Sequence, residues 1–400
     1  MRIFVDEFLE GANSVHHPVG PTPRVVEIDA LRGLALFGIL MVNIWFFADS
    51  STVAGGPDTT TTPMADLIVL FLVATFFEGK FYLLFSLLFG YGFAVLQGAG
   101  GQDPLRPVRR RLGFLAVLGV LHGVLLFYGD ILLTYALAGA LLVATRGIPV
   151  RRALGVAVAI TSGVAILFLG AAVLLLVIGA DGTSSATGTA LPLTGGPGAA
   201  LAVNAATYGI VLPSVVLFQG PLALAAFYAG SAFAGSGVLR PDPPSEVVLR
   251  RVAFLILPVG LGVSALQACL SLWAEGEAAA LLATGLSVAA SPLVTLGYAS
   301  LLLLLVRTRA GGLLTGILAP AGRLSLSNYL GQSVLLCILF TGYGFGLMDE
   351  VPPTAVPGIV VVIFTAQSAV SRLVLATGRT GPLEQALRWF VHRPGRRPGT

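Results

Sequence analysis

The stretch IDALRGLALFGILMVNIWFFA, Ile28–Ala48, decides the class of this protein. Past Arg32 it carries no charge and a single amide, Asn43. As a helix, Leu31–Ala48 would be about 27 Å long, close to the ~30 Å of hydrocarbon that a membrane-crossing helix must cover. Comparable apolar runs follow at 81–97, 112–128, 131–145, 153–179, 207–235, 252–273, 278–306, 326–345 and 355–377. The sequence therefore predicts an all-α, polytopic transmembrane helix bundle of about ten spans.

Composition agrees. Of 400 residues, 56% are hydrophobic and 10% charged, and mean hydropathy is +0.91, whereas a soluble domain carries about 25% charge. Cys269 and Cys337 both lie in apolar runs, so neither a disulfide framework nor a zinc pattern is available and no metal is expected. The pI near 9.3 does not point to nucleic acid, because the basic residues are short clusters between apolar runs rather than one basic face. MRIFVDEFLE at the start lacks the apolar core and cleavage site of a signal peptide. His16 and His17 belong to this polar N-terminal segment and read as solvated residues.

Charge sets the expected orientation. With both termini in the cytoplasm, ten helices place Arg24, Arg106, Arg109 to Arg111, Arg146, Arg151, Arg152, Arg240, Arg250, Arg251, Arg307, Arg309 and Arg323 inside. Asp49, Asp58, Asp130, Asp181, Glu275, Glu277, Asp349 and Glu350 fall outside. A further span at 65–79 would invert everything after it, so that stretch reads as re-entrant or interfacial. The chain then divides into a cytoplasmic tail (1–27), a membrane domain (28–378) and a basic cytoplasmic tail (379–400). Gly/Thr/Ser-rich 180–199 is an outer loop, and Pro213 and Pro221 predict a kink in the sixth helix.

Polar residues inside a bilayer are costly, about 2.5 kcal/mol or more for a charge, so each asks for a partner or a purpose. Two groups stand out. Asn43, Lys80, His122 and Asp130 are expected in the outer half of the membrane, with Asp130 and Gly129 forming an outer turn. Asp29, Arg32, Arg323, Ser325, Asn328, Tyr329 and Gln332 are expected at the inner face, with Ser325 as N-cap of the ninth helix and its free first-turn amides open to a phosphate or carboxylate. Simple capping, helix-to-helix hydrogen bonding and snorkelling explain many such residues, so geometry must decide. His122 is the best general base in the chain, since His16, His17 and His392 lie in polar tails.

IDALRGLALFGILMVNI (28–44), GKFYLLFSLLFGYGF (79–93), LHGVLLFYGDILLTYALAG (121–139), GRLSLSNYLGQS (322–333) and GPLEQALR (381–388) resemble the YeiB family of bacterial membrane proteins over nearly the whole chain. That resemblance implies a multi-pass protein of the bacterial cytoplasmic membrane. The family is distantly similar to membrane-bound acyltransferases, the acyltransferase-3 and heparan-glucosaminide N-acetyltransferase groups, which take an acyl-CoA in the cytoplasm and acylate an acceptor beyond the membrane. The helix-one pattern of Asp29, Leu31-Arg32 and Asn43 follows theirs, except that acyltransferase-3 members typically carry His where Asn43 stands, and the outer-loop His of the heparan group is absent from 49–64. On an acyl-transfer reading of these residues His122 would act as base, Asp130 would orient it, and Asn43 or Lys80 would steady an oxyanion. The inner-face residues would hold acyl-CoA, a substrate rather than a bound cofactor, for a lipid or cell-wall acceptor. Two other classes stay open: a transporter or exporter of a small amphiphile, and a structural or regulatory protein without turnover.

Overall fold

A computed structural model describes residues 26–54, 58–98, 105–179, 193–236 and 243–392. His16, His17, Arg24, Asp181, Arg240, most of the 180–199 loop and the final arginines lie outside the described residues. Among the described residues the fold is helical throughout, and seven helical stretches are long and apolar enough to cross a membrane. Their outward faces remain apolar: Val177, Ile210, Phe254 and Leu373 are all well exposed. A water-soluble monomer does not present such surface, and a lipid-facing bundle does. The protein is a multi-pass membrane protein.

Helix α1 (Val26–Asn43) is the central element, most of it buried by its neighbours. Next come α2 (Met64–Phe76) and α3 (Phe81–Gly98), separated by a tight turn at 77–80. The stretch 65–79, read as re-entrant or interfacial, is helical to Phe76 and then turns tightly into α3. Asp66 near the start of α2 accepts the Thr354 backbone N–H, and Phe71 packs on Trp273, both at the end of the bundle where acidic residues gather. The far end of α2 lies deep against α11 (Glu277–Val306): Tyr298 donates to the Phe76 carbonyl and Thr295 to that of Lys80. The two helices together form one apolar stretch long enough to cross a membrane, Met64–Leu96, interrupted by the turn at 77–80. Gly79 allows the break, with φ of +77° and a Cβ position only 2.7 Å from Ser291 Oγ.

Helices α4 (Arg106–Leu125) and α5 (Leu132–Ala144) form a hairpin whose tip differs from expectation. α5 is about 20 Å long, too short to cross ~30 Å of hydrocarbon. Phe127, Tyr128 and Asp130 at the tip are 1–5% exposed, so the turn that carries Asp130 is buried rather than solvated. Irregular backbone at that depth needs protein partners. Asn204 supplies them: its Oδ1 accepts the Tyr128 N–H, and its Nδ2 donates to the Gly123 and Val124 carbonyls. Asn204 lies on α7 (Pro197–Ser214), which follows α6 (Val150–Ile178). The kink expected near Pro213 and Pro221 appears as a π-helical turn, Val215–Gln219, leading into α8 (Gly220–Ser236). After α9 (Pro243–Arg251) a second such turn, Val252–Ile256, precedes α10 (Leu257–Trp273) and its Pro258.

The last quarter of the chain shapes the arginine-rich end. α12 (Gly311–Arg323) is a short helix not anticipated from the sequence, followed by α13 (Ser325–Phe340), α14 (Val356–Ala376) and α15 (Pro382–His392). Half of the stretch read as a basic tail is thus an ordered amphipathic helix. α15 docks on α4, where Arg110 donates to the Val391 carbonyl and Phe390 meets Phe114.

Candidate functional site

Three helices begin at the arginine-rich end and run inward together. On each, residues spaced by whole helical turns share one face. Those faces carry Arg32, Ile39 and Asn43 on α1, Arg111, Leu115 and His122 on α4, and Ser325, Tyr329 and Ser333 on α13. Between the faces lies a cavity of about 230 Å³. Its mouth is lined by Arg32, Arg111, Arg323 and Glu384, its interior by Phe85, Phe89, Leu115, Ile131, Tyr135 and Tyr329. Arg32 pairs with Asp29 at 3.2 Å. The Arg111 guanidinium lies 4.6 Å over the Phe89 ring, and its Nε is buried with no hydrogen-bond partner. With Arg323 exposed beside it, the mouth favours an anion.

His122 lies beyond the inner end of this cavity, its ring 5.1 Å from that of Tyr329. Its Nδ1–H donates to Asp130 Oδ1 at 2.8 Å, because a carboxylate can only accept. Asp130 Oδ2 accepts the Leu133 N–H at 3.1 Å, which fixes the carboxylate at the start of α5. In the neutral imidazole this tautomer leaves the lone pair on Nε2, which accepts from Ser333 Oγ at 2.9 Å. Asp130 and His122 are 1% exposed and Ser333 3%. Gly119 makes the approach of α5 to α4 feasible: a Cβ there would fall 2.8 Å from Asp130 Oδ2 and 2.4 Å from Leu133 N.

The residues singled out from the sequence separate into five places. His122 and Asp130 are bonded as expected. Asn43 continues the α1 face but makes no hydrogen bond with that pair among the described residues. Lys80 belongs to a different cluster: fully buried in the break between α2 and α3, it donates to the Ala74 carbonyl and lies against α11. At the arginine end, Arg32, Arg323, Ser325 and Tyr329 line the cavity, with Asp29 behind Arg32. Asn328 and Gln332 instead join α13 to its neighbours. Asn328 donates to the Ala321 carbonyl and to Ser371 Oγ, and Gln332 to Gln367 Oε1.

The expected N-cap also moves. Ser325 is the first residue of α13, Leu324 precedes it, and no side chain at that position caps the helix. Two of the first-turn amides are not free, because Glu384 of α15 occupies them. Its Oε1 accepts the Leu326 and Ser327 N–H groups at 2.9 and 3.0 Å, and its Oε2 accepts the Ser327 hydroxyl at 2.5 Å. In return Ser327 Oγ accepts the Leu383 N–H, so the two helix starts cap one another. The carboxylate foreseen at that site belongs to the chain itself. Ser333, Arg111 and Glu384 are the residues that sequence reasoning did not single out, although all three stand in clusters or motifs that it quoted.

A family described as "Protein of unknown function (DUF418)" matches residues 233–394. The "Uncharacterized protein YeiB" of Escherichia coli (strain K12) is 30% identical over 404 residues, spanning 92% of this chain and 97% of that protein. The "Uncharacterized protein YxaH" of Bacillus subtilis (strain 168) is 27% identical over 394 residues, 92% of this chain and 94% of that one. No solved structure matches the chain.

Proposed function

This chain belongs to the YeiB family, and we propose that it is a transmembrane acyltransferase of the bacterial cell membrane that takes an acyl group from a cytoplasmic thioester. One observation carries the reading: a cavity with arginines at its mouth and apolar walls ends beside a buried imidazole held by a carboxylate. The arginine end then faces the cytoplasm. Acyl-CoA presents phosphates, which suit Arg32, Arg111 and Arg323, and a slim pantetheine and acyl chain, which suits an apolar shaft. At about 230 Å³ the cavity is smaller than the ~300–1,000 Å³ typical of drug-sized sites, so it takes a chain and leaves the nucleotide outside.

From Arg111 to His122 is about 16 Å along α4, a depth that brings the thioester near the imidazole. His122 is the base, Asp130 holds its tautomer and offsets the charge that forms, and the acceptor is a hydroxyl or amine on a lipid or cell-wall precursor. A hydrogen bond that only joins helices survives replacement by another polar group, whereas a base does not. His122→Gln should fold in detergent at near-native yield and lose transfer of a radiolabelled acyl group from acyl-CoA to membrane lipids by about 10²-fold or more. A folded variant that still transfers at the native rate removes His122 as the base.

A further inference from the structure

The imidazole does not face an open space. Its only lone pair, on Nε2, is taken by the Ser333 hydroxyl at 2.9 Å. An acceptor arriving from elsewhere would therefore find the base occupied. The first proton within its reach is that of Ser333, which makes no other hydrogen bond among the described residues. Ser333, His122 and Asp130 form the order of hydroxyl, imidazole and carboxylate that turns a serine into a nucleophile. They come from α13, α4 and the start of α5, at chain separations of 211 and 8 residues.

The placement of Ser333 fits that role better than that of any neighbouring nucleophile. It lies one helical turn past Tyr329, on the same face of α13 that lines the cavity with Ser325 and Tyr329. A further turn on, Cys337 spends its thiol hydrogen on the Leu126 carbonyl and has no base. Both oxygens of Asp130 are engaged, one by His122 and one by Leu133, so the imidazole is fixed in tautomer and direction.

We propose that Ser333 carries the acyl group as an ester, so that transfer proceeds by double displacement. This step rests on the acyl-transfer reading above. Ser333 Oγ attacks the thioester carbonyl while His122 Nε2 takes its proton. The C–S bond breaks, and the departing thiolate receives that proton as the free thiol. The acceptor hydroxyl or amine then attacks the Ser333 ester, His122 takes the acceptor's proton, and Ser333 Oγ recovers it as the ester bond breaks. No oxidant or metal enters the balance.

The experiment uses two probes on the native full-length protein in detergent and on Ser333→Ala, Ser333→Cys and His122→Gln. A fluorophosphonate reports an activated serine without reference to any acyl substrate: Oγ bonds phosphorus and fluoride leaves. Palmitoyl-CoA reports acylation and turnover. The expected result is a phosphonyl and a palmitoyl adduct on the Ser333 peptide by mass spectrometry, both absent from Ser333→Ala and at least about 10²-fold slower to form in His122→Gln. Ser333→Cys, which keeps the size and the His122 contact, should give a palmitoyl thioester that neutral hydroxylamine cleaves to palmitoyl hydroxamate and the free thiol. If Ser333→Ala consumes palmitoyl-CoA at the native rate, the double displacement is overturned and direct acyl transfer survives. If fluorophosphonate labels Ser333 but palmitoyl-CoA is untouched, the nucleophile stands and the acyl-transfer reading falls. If the native protein takes neither label, the double displacement falls, and if it also leaves palmitoyl-CoA unconsumed, the acyl-transfer reading falls with it.

Discussion

Glu384→Ala tests whether the C-terminal helix is locked to the bundle by the reciprocal cap. The carboxylate accepts two backbone N–H groups and one hydroxyl at the start of α13, and the same hydroxyl accepts the Leu383 N–H of α15. Losing a cap side chain costs about 0.5–2 kcal/mol, and hydrogen bonds to a charged group are worth about 1.5–3 kcal/mol each. Water reaches this half-buried site and recovers part of that, so about 2 kcal/mol is a fair expectation for the docking of α15. At about 1.4 kcal/mol per factor of ten, local opening should rise roughly thirtyfold. Hydrogen–deuterium exchange of the amides from 383 to 390, followed by mass spectrometry, reads this directly. Glu384→Gln keeps an acceptor for both N–H groups and should open only about fivefold, for about 1 kcal/mol. Gly381→Ala should mimic Glu384→Ala with the carboxylate still present, since its Cβ would lie 2.0 Å from Glu384 Oε2 and 2.5 Å from Ser327 Oγ. Exchange within twofold of native in Glu384→Ala would refute the cap as the lock.

Two further outcomes concern orientation and donor capture. Reporter domains fused after Arg152 and after Arg251 should signal cytoplasm, and insertions between Gly182 and Gly196 should signal the far side, because the basic residues gather at one end of the helices; reversed signals would overturn the topology. Arg323→Gln and Arg32→Gln should weaken acyl-CoA binding by about tenfold or more each, the worth of one charged hydrogen bond. Arg106→Gln, which does not line the cavity, is the control. Titration of purified protein by calorimetry distinguishes them, and equal losses at all three positions would remove the arginine mouth as the donor site.

How much of this could be read beforehand differs from element to element. The class was legible because apolar run length responds directly to bilayer thickness, and Ile28–Ala48 alone suggests it. The join of α2 to α3 was not: periodicity marks where a chain is apolar, while the break at Gly79 depends on Ser291, Thr295 and Tyr298 two hundred residues away. α12 escaped because it is short, glycine-rich and contains Pro320, features that read as a loop. In the site, His122 and Asp130 were legible together, eight residues apart across a tight turn. Ser333 was not, since nothing local distinguishes it from Ser325 or Ser327; only its position two turns past Ser325, on the face that meets His122, could have suggested it. The anion site at the start of α13 was foreseen in its chemistry but not in its occupant, because a helix start invites any carboxylate and cannot name which.

The buried tip of the hairpin has a consequence for how the protein is made. Its backbone partner, Asn204, lies 76 residues beyond Tyr128 in the chain. At about 5–20 residues per second of synthesis, the tip waits roughly 4–15 s for that amide. During the wait, one N–H and two carbonyls have no side chain to receive them, and leaving such groups bare in lipid costs several kcal/mol each. α4 and α5 therefore cannot settle as an isolated pair the way two full-length apolar helices can. They must stay in a wet or sheltered place until α7 emerges, so the earliest stable unit in the bilayer runs from α4 to α7, and the order of synthesis is written into the position of one asparagine.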